Sequence, residues 1–116
     1  MSEAKKFDLN KPPMHLLDRV ALEATAQVLA FGAQKYAEDN WRGGGTYDLG
    51  CKRPLAAALR HIFAYLDGEC SDPESDMSHL AHAMCSIMFA LSADQRGFSD
   101  VVRPAVTYGA IKDTPA

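Results

Sequence analysis

"MSHLAHAMCSIMFALSA", residues 77–93, carries no charged side chain, and its reading decides the fold. Met77, Leu80, Ala81, Met84, Ile87, Met88 and Leu91 follow the i, i+3/i+4 spacing of a helix and form its expected core stripe. No face of that helix asks for water, and a helix that is apolar all round is buried all round. The stretch is shorter than the ~20 residues a membrane span needs. It also contains His79 and His82, so the transmembrane reading fails. Ahead of it lies the acid-rich turn "GECSDPESD", residues 68–76. This turn supplies a helix start between Asp72 and Met77: Asp72 as N-cap, Pro73 in the first turn, and acids near the positive end of the dipole.

Two further helices are expected upstream. Leu16, Leu17, Val20, Ala21, Ala24, Val28, Phe31 and Gly32 give a helical stripe from about Leu16 to Tyr36. A second helix starts at Pro54, buries Leu55, Leu59, Ile62, Phe63 and Leu66, and runs out at Asp67-Gly68. Between them the glycine-rich "AEDNWRGGGTYDLGCKR", residues 37–53, is a loop of a length that is usually functional or disordered. Pro12 and Pro13 keep residues 1–13 an extended arm, and residues 98–116 read as an extended tail or short strand. Three helices cannot surround one of their own number. The expectation is therefore a single all-α domain over residues 1–116, its three-helix core completed into a helical bundle by oligomerisation, with extended N- and C-terminal arms.

Composition narrows the class. The chain has 116 residues, 47% hydrophobic and 23% charged, which fits one soluble domain. A formal net charge of −3 excludes a general nucleic-acid or membrane-surface binder, so any anion must meet a local basic cluster. No direct DNA binding is expected, and no membrane association. Cys51, Cys70 and Cys85 form no CxxC pair, which points to a reducing compartment, and "MSEAKKFDLNKPP" is no signal peptide. A cytoplasmic location is expected.

Several residues could carry chemistry. His79 and His82 lie about 60° apart on the third helix, close enough to serve one ligand. Cys85 falls about 120° from His79, so a third ligand would come from elsewhere. His61 on the second helix is the natural candidate, with Glu69, Asp72 and Glu74 as carboxylate alternatives. Such histidines also occur simply as hydrogen-bonded interior groups, and HxxH alone is a weak signal. Asp72 and Glu74 are explained equally by helix capping or by holding a hard cation. Glu23 is a lone acid in "VALEATAQVLAFGAQ", where an ion pair with Arg60 stands against a metal or ligand contact. "FGAQKYAEDNWRGGG", residues 31–45, gathers Lys35, Tyr36, Asn40, Trp41 and Arg42 beside a glycine-rich turn. Rings can stack a base, an amide can read its edge, and Lys or Arg can meet phosphate, with Arg53 and Arg60 adding cations. The plainer alternative is a helix end with Lys35 against the dipole and Trp41 as an apolar anchor.

"ALEATAQVLAFGAQKYAEDNWR" (21–42), "LAAALRHIFAYLDGECSDPES" (55–75) and "HLAHAMC" (79–85) together resemble the N-terminal domain family of phage-type dATP/dGTP diphosphohydrolases. The resemblance covers roughly residues 7–92. It implies an all-α fold related to the MazG-like nucleoside triphosphate pyrophosphohydrolases, in which a metal-activated water attacks the triphosphate and releases monophosphate and pyrophosphate. One departure stands out. MazG-like enzymes gather Mg²⁺ with ExxE on one helix and ExxD on the next, whereas this chain reads "RHIFAY" and "HLAH" there. Such a site suits direct phosphate binding or a softer ion. The expected activity is metal-dependent hydrolysis of purine deoxynucleoside triphosphates. Glu23, His61 and His82 are the catalytic candidates; Lys35, Tyr36, Asn40, Trp41, Arg42, Arg53 and Arg60 would bind substrate. Glu69, Asp72, Glu74, His79 and His82 would hold a divalent metal, Mg or Mn, with Zn as a further option. The alternative is a non-catalytic nucleotide-binding protein of a phage, a regulatory domain or a trap for nucleotide signals of host defence.

Overall fold

The structure is a computed structural model that describes residues 10–45 and 47–102. The described residues form three α-helices and no strand: α1 Arg19–Lys35, α2 Lys52–Leu66 and α3 His79–Gln95. Short 3-10 helices at Met14–Leu16 and Asn40–Gly45 precede α1 and α2. The all-α expectation holds. The N-terminal arm through residue 9 and the tail from residue 103 lie outside the described residues, and residues 98–102 have no regular structure. No helix among the described residues is long and apolar enough to cross a membrane.

Most helix ends have an identifiable cause. Asp18 caps α1, its carboxylate accepting the Ala21 N–H at 2.8 Å, so the helix begins three residues later than the Leu16 stripe predicts. Both α2 and α3 end in paired hydrogen bonds around a left-handed glycine. Gly68 and Glu69 donate to Tyr65 and Ala64, and Gly97 and Phe98 donate to Asp94 and Ala93. The start of α2 is unusual because its cap comes from the far side of α3. Asp100 Oδ1 accepts the N–H groups of Cys51 at 2.8 Å and Lys52 at 3.0 Å, two of the orphan donors of a helix N-terminus. Gly50 makes that approach possible: a Cβ there would lie 2.7 Å from the Asp100 carboxylate carbon.

Helix α3 is the shared element, packed on α2 along one side and on α1 along another, the α2 contact being the more extensive. Its buried residues are His79, Ala81, Ala83, Cys85, Ala90 and Ala93. The small ones let neighbouring backbones come close. Val28 of α1 packs with Ala81 and Cys85, flanked by Ala24, Leu29, Met77 and Phe89. Tyr47, Cys51, Ala90 and Ala93 form a second cluster against Trp41. The 37–53 segment is therefore a built element rather than a slack loop. Trp41 stacks on Phe89 with centroids 4.5 Å apart, and Tyr47 stacks on Phe98 at 5.6 Å. Tyr47 holds a left-handed backbone (φ 54°), a conformation costing about 1–3 kcal/mol that its ring contacts offset.

The expected core stripes are corrected by this packing. Leu80, Met84, Ile87 and Leu91 of α3, and Leu55, Leu59, Phe63 and Leu66 of α2, are exposed in the single chain, Phe63 by 60% and Leu91 by 56%. Periodicity found the apolar faces and the buried Ala81, but the other residues α3 buries, Ala83, Cys85, Ala90 and Ala93 among them, lie outside the expected stripe.

Two predictions follow from these contacts. Asp100 accepts the Cys51 and Lys52 N–H groups, which hold its carboxyl below the usual value of 3.8. Its stabilising effect is therefore present above that pH and lost as pH falls through the lower folded-state value. Asp100→Ala should melt at a lower temperature than wild type at neutral pH, the gap closing as pH falls below the usual carboxylate range when both are followed by circular dichroism. Second, Cys70 is exposed while Cys51 and Cys85 are buried, and burial pushes the Cys85 thiol up to about 11. A colorimetric thiol reagent should modify Cys70 quickly in the native protein and the other two only on unfolding, as read by peptide mass mapping.

Candidate functional site

The turn between α2 and α3 sets the site. Ser71 and Ser78 pair as an isolated antiparallel bridge, with Asp72 N donating to Met77 O at 2.8 Å and His79 N to Cys70 O at 2.9 Å. Inside this closed loop Asp72 Oδ2 accepts the N–H of Glu74 at 3.1 Å and of Ser75 at 3.0 Å. Asp72 thus caps a turn and not α3. The helix cap is Ser78, whose Oγ accepts the Leu80 N–H at 3.0 Å, and α3 starts at His79, later than the acid-rich turn suggests. Burial pushes the Asp72 carboxyl up, but the Ser75 and Glu74 N–H groups and the nearby imidazoles outweigh it, leaving its pKa below the usual range. It is an anion at neutral pH.

Three imidazoles meet beside it. His61 Nδ1 lies 2.8 Å from His79 Nδ1, a contact between α2 and α3. His79, only 3% exposed, has its Nε2 2.7 Å from Glu69 Oε1. The His82 ring stacks on His61 with centroids 4.6 Å apart and planes 10° from parallel, and its Nε2 meets Ser75 Oγ at 2.7 Å. Burial, helped by the neighbouring rings, lowers the pKa of His61; burial likewise lowers that of His82. Both rings are therefore neutral near pH 7 and keep a lone pair. One nitrogen of His61, one of His79 and one oxygen of Asp72 lie within 4.8 Å of one another, a group able to hold a metal ion. Two imidazoles and a carboxylate fit a divalent ion with coordination positions to spare.

An open cavity of about 980 Å³ adjoins this group. Its walls come from the end of α1, the Asn40–Gly45 turn, α2, α3 and the acid-rich turn. His61, Asp72, Glu74 and His82 line it, as do Lys35, Tyr36, Asn40, Trp41, Arg42, Arg53 and Arg60, together with the acids Glu38 and Asp39 and apolar residues of α1 and α3. On a helix, residues seven apart fall within ~20° of one line and ~10 Å along it, so Arg53 and Arg60 form a row on α2, with His61 beside the second. His82 and Phe89 share such a line on α3. Lys35 Nζ reaches Glu74 Oε2 at 2.6 Å, an exposed pair bridging α1 to the turn, and this bond, with Tyr36, raises the lysine pKa.

Not every sequence-derived candidate is here. Glu23 lies away from the cavity, exposed, paired with Arg19 at 2.8 Å and not with Arg60. Its partner is four residues away on its own helix, so the apolar surroundings that made it conspicuous in sequence are absent. Glu69 and His79 do not line the cavity but stand behind it, joined to His61 through the His79 ring. Trp41 has its ring engaged by Phe89 and by the Arg42 guanidinium, 4.5 Å from its centroid, which makes it an anchor of the cavity wall. Tyr36 is 65% exposed at the mouth. Sequence reading passed over Ser75, which orients His82, and Tyr47, which fixes the loop. Nothing periodic marks either: Ser75 meets His82 only because the turn folds back on α3.

The chain matches the family model described as "dATP/dGTP diphosphohydrolase, N-terminal" over residues 1–101. It is 39% identical over 84 residues to a protein of Salmonella phage PMBT28 named dATP/dGTP diphosphohydrolase, an alignment covering 72% of this chain and 27% of that protein. The chain thus spans about a quarter of the relative's length. No solved structure matches it. With the sequence motifs and the family match in agreement over most of its length, the chain belongs to the dATP/dGTP diphosphohydrolase N-terminal family.

Proposed function

We propose that this chain binds a purine deoxynucleoside triphosphate in the cavity and hydrolyses it to monophosphate and pyrophosphate with the help of a divalent ion. The observation that carries the reading is the convergence, on one cavity, of a metal-capable imidazole and carboxylate with a row of guanidinium groups. The name of the phage relative supports the substrate class.

In this reading Arg53 and Arg60 run along the triphosphate, their guanidiniums matching phosphate oxygens. Lys35 joins them, drawn from its pairing with Glu74. Tyr36 offers the exposed ring for the base, and Asn40 its amide, while Trp41 and Arg42 shape the wall behind. His61 and Asp72, with His79 behind them, would hold the ion. A bound divalent ion supplies polarisation of water and neutralisation of the pyrophosphate leaving group. His82, neutral and oriented by Ser75, is placed to accept the proton of the attacking water.

The large apolar side chains left on the surface support a second part of the proposal: a further copy of the chain covers them. The groove lined by Val20, Ala21, Ile62, Leu80, Met84 and Ile87 joins the open stripes of all three helices, and a core of small residues leaves these as the main apolar surface still to be buried.

Incubation with each deoxynucleoside triphosphate and a divalent ion, resolved by chromatography, should give monophosphate and pyrophosphate in equal amounts, purines preferred. Excess chelator should abolish it, and Arg60→Ala should raise KM by ~10-fold or more through a lost charged hydrogen bond. Intact nucleotide held by the protein would overturn hydrolysis in favour of a nucleotide-binding role. Separately, light scattering after size exclusion should give at least twice the 12.6 kDa chain mass. Met84→Glu should shift it toward the monomer; a monomeric wild type would sink the assembly.

A further inference from the structure

We propose that His61 Nδ1, His79 Nδ1 and Asp72 Oδ1 form a site for an imidazole-preferring divalent ion of the zinc class (Zn, Fe or Co) rather than for Mg²⁺, with Glu69 as the positioning residue that presents His79. This deepens the preceding reading of the cavity and rests on it for the ion's use, but not for its binding.

Four features of the geometry carry it. A carboxylate only accepts hydrogen bonds, so the Glu69 contact at 2.7 Å places a proton on His79 Nε2. That leaves His79 Nδ1 as the nitrogen with a lone pair, and it faces His61 Nδ1 at 2.8 Å. Two imidazole nitrogens can stand that close only with a proton or a cation between them. His79 is buried, its backbone N–H bonded to Cys70 and its ring held between Glu69 and His61. The Asp72 carboxylate is fixed in turn: both turn bonds fall on Oδ2, and Oδ1 is not used by the turn.

The donor set chooses the ion. Mg²⁺ is bound by oxygens and keeps most of its water, whereas imidazole suits Zn, Fe and Co. Nitrogen donors make up two of the three groups. Three other acids line the cavity, Glu38, Asp39 and Glu74; Asp39 is paired with Arg42 and Glu74 with Lys35. An imidazole ligand whose other nitrogen donates to a carboxylate is a recurrent outer arrangement of such sites, which fixes the ring and raises its basicity. His82, whose Nε2 meets Ser75, serves as a flat wall against His61 and is not needed as a ligand.

The test uses metal-stripped full-length protein without nucleotide. Co²⁺ titration should saturate at one equivalent per chain, with visible d–d bands of a nitrogen-containing site, displaced by Zn²⁺ but not by a large excess of Mg²⁺. His61→Ala and Asp72→Asn should each weaken binding by ~100-fold or more, with far-UV circular dichroism confirming the fold; Asn at 72 retains an acceptor for the turn. Glu69→Ala should weaken binding by ~10–100-fold and shift the bands, and Glu69→Gln should recover part of both. Equal competition by Mg²⁺, or unchanged Co²⁺ binding in His61→Ala, would overturn the inference. Nucleotide hydrolysis with Mg²⁺ alone and no cobalt site would keep the proposed activity and discard this ion; a cobalt site without hydrolysis would do the reverse.

Discussion

Helix α3 carries no charged side chain until Asp94 in its last turn, so nearly all of its surface needs a cover, and the rest of this structure depends on that constraint. Around α3 the cover differs by angle. Ala90 and Ala93 pack against Tyr47 and Cys51, at the entry to α2, on one side, and Ala81 and Cys85 receive Val28 of α1 on another. Between these two flanks one arc, with His82 and Phe89, faces the cavity, and the opposite arc, with Leu80, Met84, Ile87 and Leu91, faces outward. Two arcs are thus filled by the chain itself. Of the other two, one is partly covered by His61 on His82 and Trp41 on Phe89 and borders the cavity, and the other carries the exposed leucines and Met84.

Close approach of α2 to α3 has a chemical consequence. It brings His61 and His79 to 2.8 Å, a distance that would be repulsive between bare nitrogens. Glu69 and Asp72 come from the connecting turn, so the same short link that reverses the chain also delivers both carboxylates to the imidazoles. The turn is rigid for local reasons: Asp72 binds two of its N–H groups and the Ser71–Ser78 bridge closes it. Both turn hydrogen bonds fall on Asp72 Oδ2, so the capping role that sequence set against a ligand role engages one oxygen of the carboxylate.

Long-range fastening explains why the cavity keeps its shape. Asp100, beyond α3, caps α2, while Tyr47 and Phe98 stack across the same gap. Trp41 on Phe89 and Lys35 with Glu74 tie the α1 side to α3 and to the turn. The cations of the cavity sit on three separate segments, so their convergence is a property of these fasteners more than of any one motif.

By itself the sequence determined three helices, the end of the second at Asp67-Gly68, the family, and the residue types that could hold a phosphate or a metal. Those features are local: periodicity, glycine stops and short motifs are written within a few turns of chain. Only the tertiary structure decided which side of each helix is buried, because alanine and leucine carry the same period and packing distance chooses between them. It also placed Glu23 with Arg19 instead of in the site, moved the α3 cap from Asp72 to Ser78, and recruited Ser75, Tyr47 and Asp100. Each of these depends on a partner set by how the chain folds back, and no spacing along one chain encodes the angle at which two helices cross.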